Sequence, residues 1–153
     1  MNKSGLYIQL YNIHGLIRGK NLELGRDADT GGQTKYVLEL AKSLTEREDV
    51  RKVEIVTRRI EDKAVSKDYS DRIENVSEKL SIIRIRCGGL KYIRKELLWP
   101  HLEEFVDKSI KYIKGNNELP DIIHSHYADA GYVCTELTKF FGIPLIHTGH
   151  SLG

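Results

Sequence analysis

Short apolar runs alternate along this chain with longer stretches whose apolar residues recur every three or four positions, and those periods predict its elements. LYIQLYNI (6–13), rich in β-branched and aromatic residues, reads as a first strand. Behind a glycine pair at 31 and 32, Val37, Leu40, Ala41 and Leu44 recur at i, i+3, i+4 and i+7, the spacing of one buried helix face. VRKVEIVTRR (50–59) predicts a second strand, and LSIIRIRC (80–87), which alternates apolar and charged residues, a third that lies nearer a sheet edge. The stretch between them, IEDKAVSKDYSDRIENVSEK, is charged and aperiodic and reads as a solvated excursion with no core role. After GGLKYIRKELLWP, a helix carries Leu102, Val106, Ile110 and Ile113 on one face, and Pro120 punctuates its end. DIIHSHY (121–127) is a fourth strand, Ala130, Val133, Cys134, Leu137 and Phe141 form another helical stripe, and GIPLIHTGH (142–150) is a fifth strand.

Strands that alternate with helices imply parallel pairing through helical crossovers, and hence a doubly wound, Rossmann-like α/β sheet in which right-handed crossovers favour the order 3-2-1-4-5. In such sheets ligands bind beyond the carboxyl ends of the strands, near the point where strand order reverses. The loops after strands one, four and five, residues 14–32, 126–130 and 147–153, are therefore expected to meet at one rim.

Composition narrows the class without choosing a partner. The 153 residues suit a single domain, which at this size buries roughly 70% of its unfolded surface without staples. With 40% hydrophobic and 30% charged residues and a net charge of +2, the chain is an ordinary globular protein with no bulk-charge signature of nucleic-acid or membrane binding. Two cysteines, Cys87 and Cys134, are too few and too far apart for a disulfide framework or zinc ribbon and are read as reduced thiols in or near a core. The sequence shows neither the apolar h-region of a signal peptide nor a run of about 18 apolar residues. A cytoplasmic location is expected.

The segment GRDADTGGQTKY (25–36) sets the chemical question: glycines leading into a helix suggest a phosphate cradle, yet Asp27 and Asp29 repel phosphate. A dinucleotide fingerprint needs its glycines close behind the strand, whereas this pair follows Ile13 by about 18 residues. A Walker loop aligned on Gly32 has Asp27 in place of its first glycine and Gln33 in place of its lysine, so the phosphate logic is gone. Two readings stay open. Either the bare helix end offers amides to a ligand oxygen, with the Gln33 amide suited to sugar hydroxyls, or Asp29 or Thr30 caps the helix and the glycines only shape the turn. His124 and His126, two apart on a strand, share a face with Asp129 following, which admits a zinc-hydrolase alternative. His14 and His150 end the first and last strands in the layer where a site is expected.

Read together, HGLIRGKNLELGRDADTGGQTKYVLELAKSL (14–44), TRR, KELLWP, HSHYADAG and TGHSLG resemble, in that order, the start of the catalytic region of sucrose-phosphate synthases. The resemblance covers nearly the whole chain. It implies the acceptor-binding, N-terminal half of a two-domain GT-B retaining glycosyltransferase of family 4, which moves glucose from UDP-glucose to fructose 6-phosphate and releases sucrose 6-phosphate and UDP. By motif, Gly31, Gly32 and Gln33 then face the acceptor and the transferring glucose, while Lys95, Tyr127 and Ser151 bind the sugar phosphate. His150 lies beside the donor glucose, and the amides at Gly32 meet charge developing on the departing diphosphate. The resemblance implies no metal and no tightly bound cofactor, with UDP-glucose as donor substrate. Because the chain stops at Gly153, its nucleotide-sugar domain is expected to lie outside these residues, and the 153-residue chain is expected to be inactive alone. Sucrose synthases share the glycine pair and glutamine but carry alanine where this chain has Ser151. A non-catalytic sugar-phosphate-binding domain is the rival from another class.

Overall fold

The computed structural model describes residues 4–150. Six strands form one sheet in the order β3-β4-β2-β1-β5-β6. They span Leu6–Tyr11 (β1), Val50–Arg58 (β2), Ile73–Asn75 (β3), Leu80–Ile85 (β4), Ile122–His126 (β5) and Leu145–Thr148 (β6). Every neighbouring pair is parallel except β3 with β4. Dropping β3 leaves the expected 3-2-1-4-5 order, so the doubly wound topology is as the alternation of elements predicts.

The helices α1 (Gly32–Thr45), α2 (Lys95–Leu98), α3 (Leu102–Gly115) and α4 (Tyr127–Phe141) complete the layers. Strand residues alternate between two apolar clusters, which is why β1 and β2 are buried almost continuously. Ile8, Leu10, Val53, Ile55, Leu80 and Ile82 pack with Val37, Leu38 and Ala41 of α1 on one face. Tyr11, Val56, Ile83, Ile85 and Ile123 face α3 and α4 on the other, through Leu102, Phe105, Val133 and Leu137 among others. Both cysteines are free and buried, and burial pushes the Cys87 thiol up to about 11. Gly142, at φ +72 with its amide on Thr138 O, ends α4 in the left-handed conformation that glycine adopts without a Cβ penalty.

Two expectations need correction. The charged stretch at 60–79 is not a solvated excursion: it holds a 3₁₀ turn at Lys67–Ser70 and the antiparallel edge strand β3. Its Tyr69 is 1% exposed and packs with Leu16 and Ile60, with the Arg18 guanidinium over its ring at 5.3 Å. Burial here rests on one aromatic that meets a loop some fifty residues earlier, so no local period announces it. Tyr127, in turn, is the first residue of α4 and not the last of the fourth strand. The chain reverses from strand to helix within one residue there.

Candidate functional site

The loop between β1 and α1 is built around its two acids. The Asp27 carboxylate accepts from the amides of Asp29 and Thr30, at 2.9 Å each, and from the Tyr92 hydroxyl at 2.9 Å. Burial pushes the Asp27 pKa up, but these hydrogen bonds outweigh it and hold the carboxyl below the usual range. Asp29, 3% exposed, accepts the backbone amide of Lys95 at 2.7 Å. The acids therefore bind the 92–95 segment to the glycine loop. Gly15 makes this approach possible: at φ +83, a Cβ on it meets Asp29 O at 2.4 Å.

Neither acid caps α1. Gly31 is the N-cap, in extended conformation, with no side-chain cap. Thr30 is engaged elsewhere, accepting the Leu16 amide at 3.1 Å. A Cβ placed on Gly32 meets nothing within 4 Å, so open space borders this helix end. Gln33 folds back, its amide donating to Asp29 O at 2.5 Å while its Oε1 stays over Gly31. A helix terminus left bare in this way presents amide donors and the positive end of the helix dipole to whatever occupies that space.

The second part of the rim is the β5–α4 junction. Tyr127 has φ +77, a left-handed conformation that an aromatic residue rarely adopts and that costs about 1–2 kcal/mol. Its ring packs edge-on against His14 with centroids 4.5 Å apart. Its hydroxyl accepts from Lys95 Nζ at 3.1 Å, and that ammonium lies 5.1 Å from the ring centroid. The same hydrogen bond raises the Lys95 pKa, so the lysine is cationic at neutral pH. Two of its three N–H donors have no protein partner among the described residues. Beneath, His14 and Asp129 form a buried pair at 2.7 Å, and Asp129 also accepts the Ala130 amide at 2.8 Å.

A third group closes the rim. His124 and His126 share a face, as their spacing predicts, with ring centroids 4.1 Å apart and planes tilted by 37°. His126 Nδ1 meets His150 Nε2 at 2.9 Å, and the His150 ring packs edge-on at 5.0 Å against Tyr36 of α1. His126 is fully buried with Nε2 unpartnered, and burial with the neighbouring histidines pushes its pKa down to about 3. Burial likewise lowers His150, helped by His14 and His147. These imidazoles are neutral at pH 7. The zinc alternative loses its carboxylate, since Asp129 belongs to His14, and His124 is bonded to the Thr148 hydroxyl at 2.8 Å. Among the described residues no group of three or more His, Cys, Asp or Glu is arranged to hold a metal ion.

The structure thus links Gln33 to Lys95 through Asp29, Lys95 to Tyr127 directly, and His150 to α1 through Tyr36, with Gly31 and Gly32 preceding Gln33 at the helix end. Ser151 lies outside the described residues. Sequence reasoning missed the roles of Asp29 and Tyr36. Tyr36 carried a usable signal, being an aromatic one turn beyond the glycine pair and off the apolar stripe of its helix; Asp29 carried none.

A neutral histidine, a fixed cation and a bare helix end thus lie at the carboxyl edge of a doubly wound sheet. The model of Glycosyltransferase Family 4 matches residues 30–153, and the chain belongs to that family. It is a homologue of sucrose-phosphate synthases: it is 45% identical over 169 residues to sucrose-phosphate synthase 4 of Arabidopsis thaliana and 42% identical over 173 residues to the Zea mays enzyme. Both alignments cover 97% of this chain and 16% of the relative, so the chain spans about one sixth of the length of these curated relatives. The solved structure of sucrose-phosphate synthase from Thermosynechococcus elongatus superposes with a TM-score of 0.79 at 28% identity, covering 97% of this chain and 34% of that one. Among the described residues no helix is long and apolar enough to cross a membrane.

Proposed function

We propose that this chain is the acceptor-binding part of a sucrose-phosphate synthase, the N-terminal half of a GT-B enzyme in which glucose passes from UDP-glucose to fructose 6-phosphate. The observation that carries this reading is the Lys95–Tyr127 pair, whose lysine backbone is tied through Asp29 to the loop that leads into the uncapped end of α1. The lysine supplies a point charge for the acceptor phosphate, and the tyrosine hydroxyl fixes its direction. Gly31 and Gly32 let the acceptor and the transferring sugar approach the backbone, while the Gln33 carbonyl oxygen accepts from their hydroxyls. His150, its ring held between His126 and Tyr36, lies where the donor glucose arrives. Transfer itself requires the nucleotide-sugar domain, which closes over the reactants to align them and exclude water. UDP-glucose is a substrate in this scheme, and no tightly bound cofactor takes part.

The test is a calorimetric and NMR titration of the chain with fructose 6-phosphate and, separately, with free fructose. Saturable binding of the phosphate ester is expected, with shifts at Gly32, Lys95 and Tyr127, and much weaker binding of fructose. Lys95→Ala removes a charge-assisted contact and should weaken fructose 6-phosphate by roughly 10- to 100-fold while leaving fructose nearly unchanged. Equal affinity for the two sugars moves the assignment to a transferase with an unphosphorylated acceptor, as in sucrose synthase. Absence of binding to both removes the acceptor role.

A further inference from the structure

Another cavity lies away from this rim. It has a volume of about 820 Å³ and opens on the α3 face of the sheet beside β3 and β4. The topology leaves it there: the β2-to-β4 connection lays down a 3₁₀ turn and an edge strand instead of a helix, so this part of the sheet face is covered only from the side by α3. Ile73 is the accessible part of an apolar floor whose other members, Ile83 and Ile85, are only 4% and 7% exposed. Ile73 pairs directly with Ile83 across β3 and β4, and it is 56% exposed.

Charge surrounds this floor with one sign. Six of the lining residues are Lys or Arg and none is acidic. Three of them are already engaged. Arg84 turns to Ile17 O and Glu74, Arg59 donates to Ser70 O, and Lys108 bridges Arg86 O and Glu104. The side chains of Arg72, Arg86 and Lys111 are exposed and have no partner among the described residues. They come from three separate segments, one ahead of β3, one after β4 and one on α3, and so ring the floor without forming a linear track. A ligand that complements this arrangement carries several separated anions on a body with apolar side chains on one face.

We propose that this cleft docks an extended acidic segment of a partner protein, with alternate apolar side chains on Ile73, Ile83 and Ile85 and carboxylates on Arg72, Arg86 and Lys111. In an extended chain, side chains two apart share a face, which is also the relation of Ile83 to Ile85 on β4. The volume lies in the range of sites that enclose a compact ligand and here admits a few residues of such a segment. A nucleic acid fits less well: its phosphates need a continuous basic track and its bases a stacking platform, whereas the one aromatic in the lining, Tyr112, is tied by its hydroxyl to Glu54 at 2.5 Å.

The probe is a fluorescein-labelled eight-residue peptide alternating glutamate and leucine, titrated into the chain at low salt while anisotropy, isoleucine methyl shifts and backbone amide shifts are followed. Saturable binding is expected, with shifts at Ile73, Ile83 and Ile85, none at Lys95 or Tyr127, and weakening as salt rises. The triple variant Arg72→Glu, Arg86→Glu, Lys111→Glu changes only exposed, unpartnered side chains and should lower affinity about tenfold or more. Ile73→Ser, at an exposed edge position, should lower it about fivefold. The proposal is overturned by absence of saturable binding, by unchanged affinity in either variant, or by equal competition from a thymidine octanucleotide. It is also overturned if the same methyl shifts arise on concentrating the chain alone, which makes a second copy the occupant.

Discussion

Two glycines of the same loop separate structure from recognition. Gly15 is held by its surroundings: φ is +83, and an added Cβ meets backbone at 2.4 Å. Gly15→Ala should therefore cost at least about 2 kcal/mol, read as a lower urea midpoint with an unchanged slope. Gly32 has neither constraint, and a side chain there points into open space. Gly32→Leu should keep the unfolding free energy within about 1 kcal/mol, because leucine is the better helix former, yet weaken fructose 6-phosphate binding by crowding the helix end. An unchanged affinity would remove the α1 terminus from the site. The glycine pair and the lysine were legible because each lies in a short contiguous motif. The meaning of Asp27 and Asp29 was not, since their decisive partners, Tyr92 and Lys95, stand 65 and 66 residues further along the chain. The left-handed Tyr127 was equally invisible, as nothing in a tyrosine announces a positive φ.

Among the elements, α2 is the one that cannot account for itself. Four residues are far too few to nucleate a helix alone, so Lys95 depends on the Asp29 carboxylate at the first amide of α2 and on the burial of Leu98. Asp29→Ala should loosen residues 93–98 while the sheet stays intact. Hydrogen exchange over that segment is expected to rise, with fructose 6-phosphate weakened by roughly tenfold because the cation is no longer held in place. Unaltered exchange at 93–98 would show that packing of Leu98 alone holds the element. Asp29 thus couples the glycine loop to the Lys95 segment and, under the proposed function, acts as a positioning residue. The contrast with the long elements explains what sequence could reveal. The parallel strands and the helices α1, α3 and α4 bury continuous faces, and burial writes a period into the sequence. The turn that buries Tyr69 draws on a contact with the distant Leu16, and the edge strand β3, paired with β4 over only three positions, is too short to carry a period. They leave no such trace.

At the scale of the whole molecule, the histidines at the carboxyl edge tie stability to pH. His126 is buried among other imidazoles, and its pKa falls from 6.5 to about 3; His124 and His150 are lowered in the same direction. Above about pH 6.5 these rings are neutral in both folded and unfolded chains and contribute no slope. Below it the unfolded chain takes up protons that the folded chain refuses, so stability must fall as acid is added, until folded His126 itself protonates near about pH 3. One such proton gives a slope of about 1.4 kcal/mol per pH unit, and the neighbouring histidines add to it. Urea unfolding at pH 7, 6 and 5 should show the decline. It should be shallower in His126→Asn and, should that variant fold poorly, in His124→Asn, whose ring is less deeply buried. A flat profile between pH 7 and 5 would mean that the cluster accepts protons while folded. The same neutrality suits the proposed function: in that scheme a cationic imidazole at 150 would compete with Lys95 for the acceptor phosphate, whereas the neutral ring offers sugar hydroxyls a donor and an acceptor.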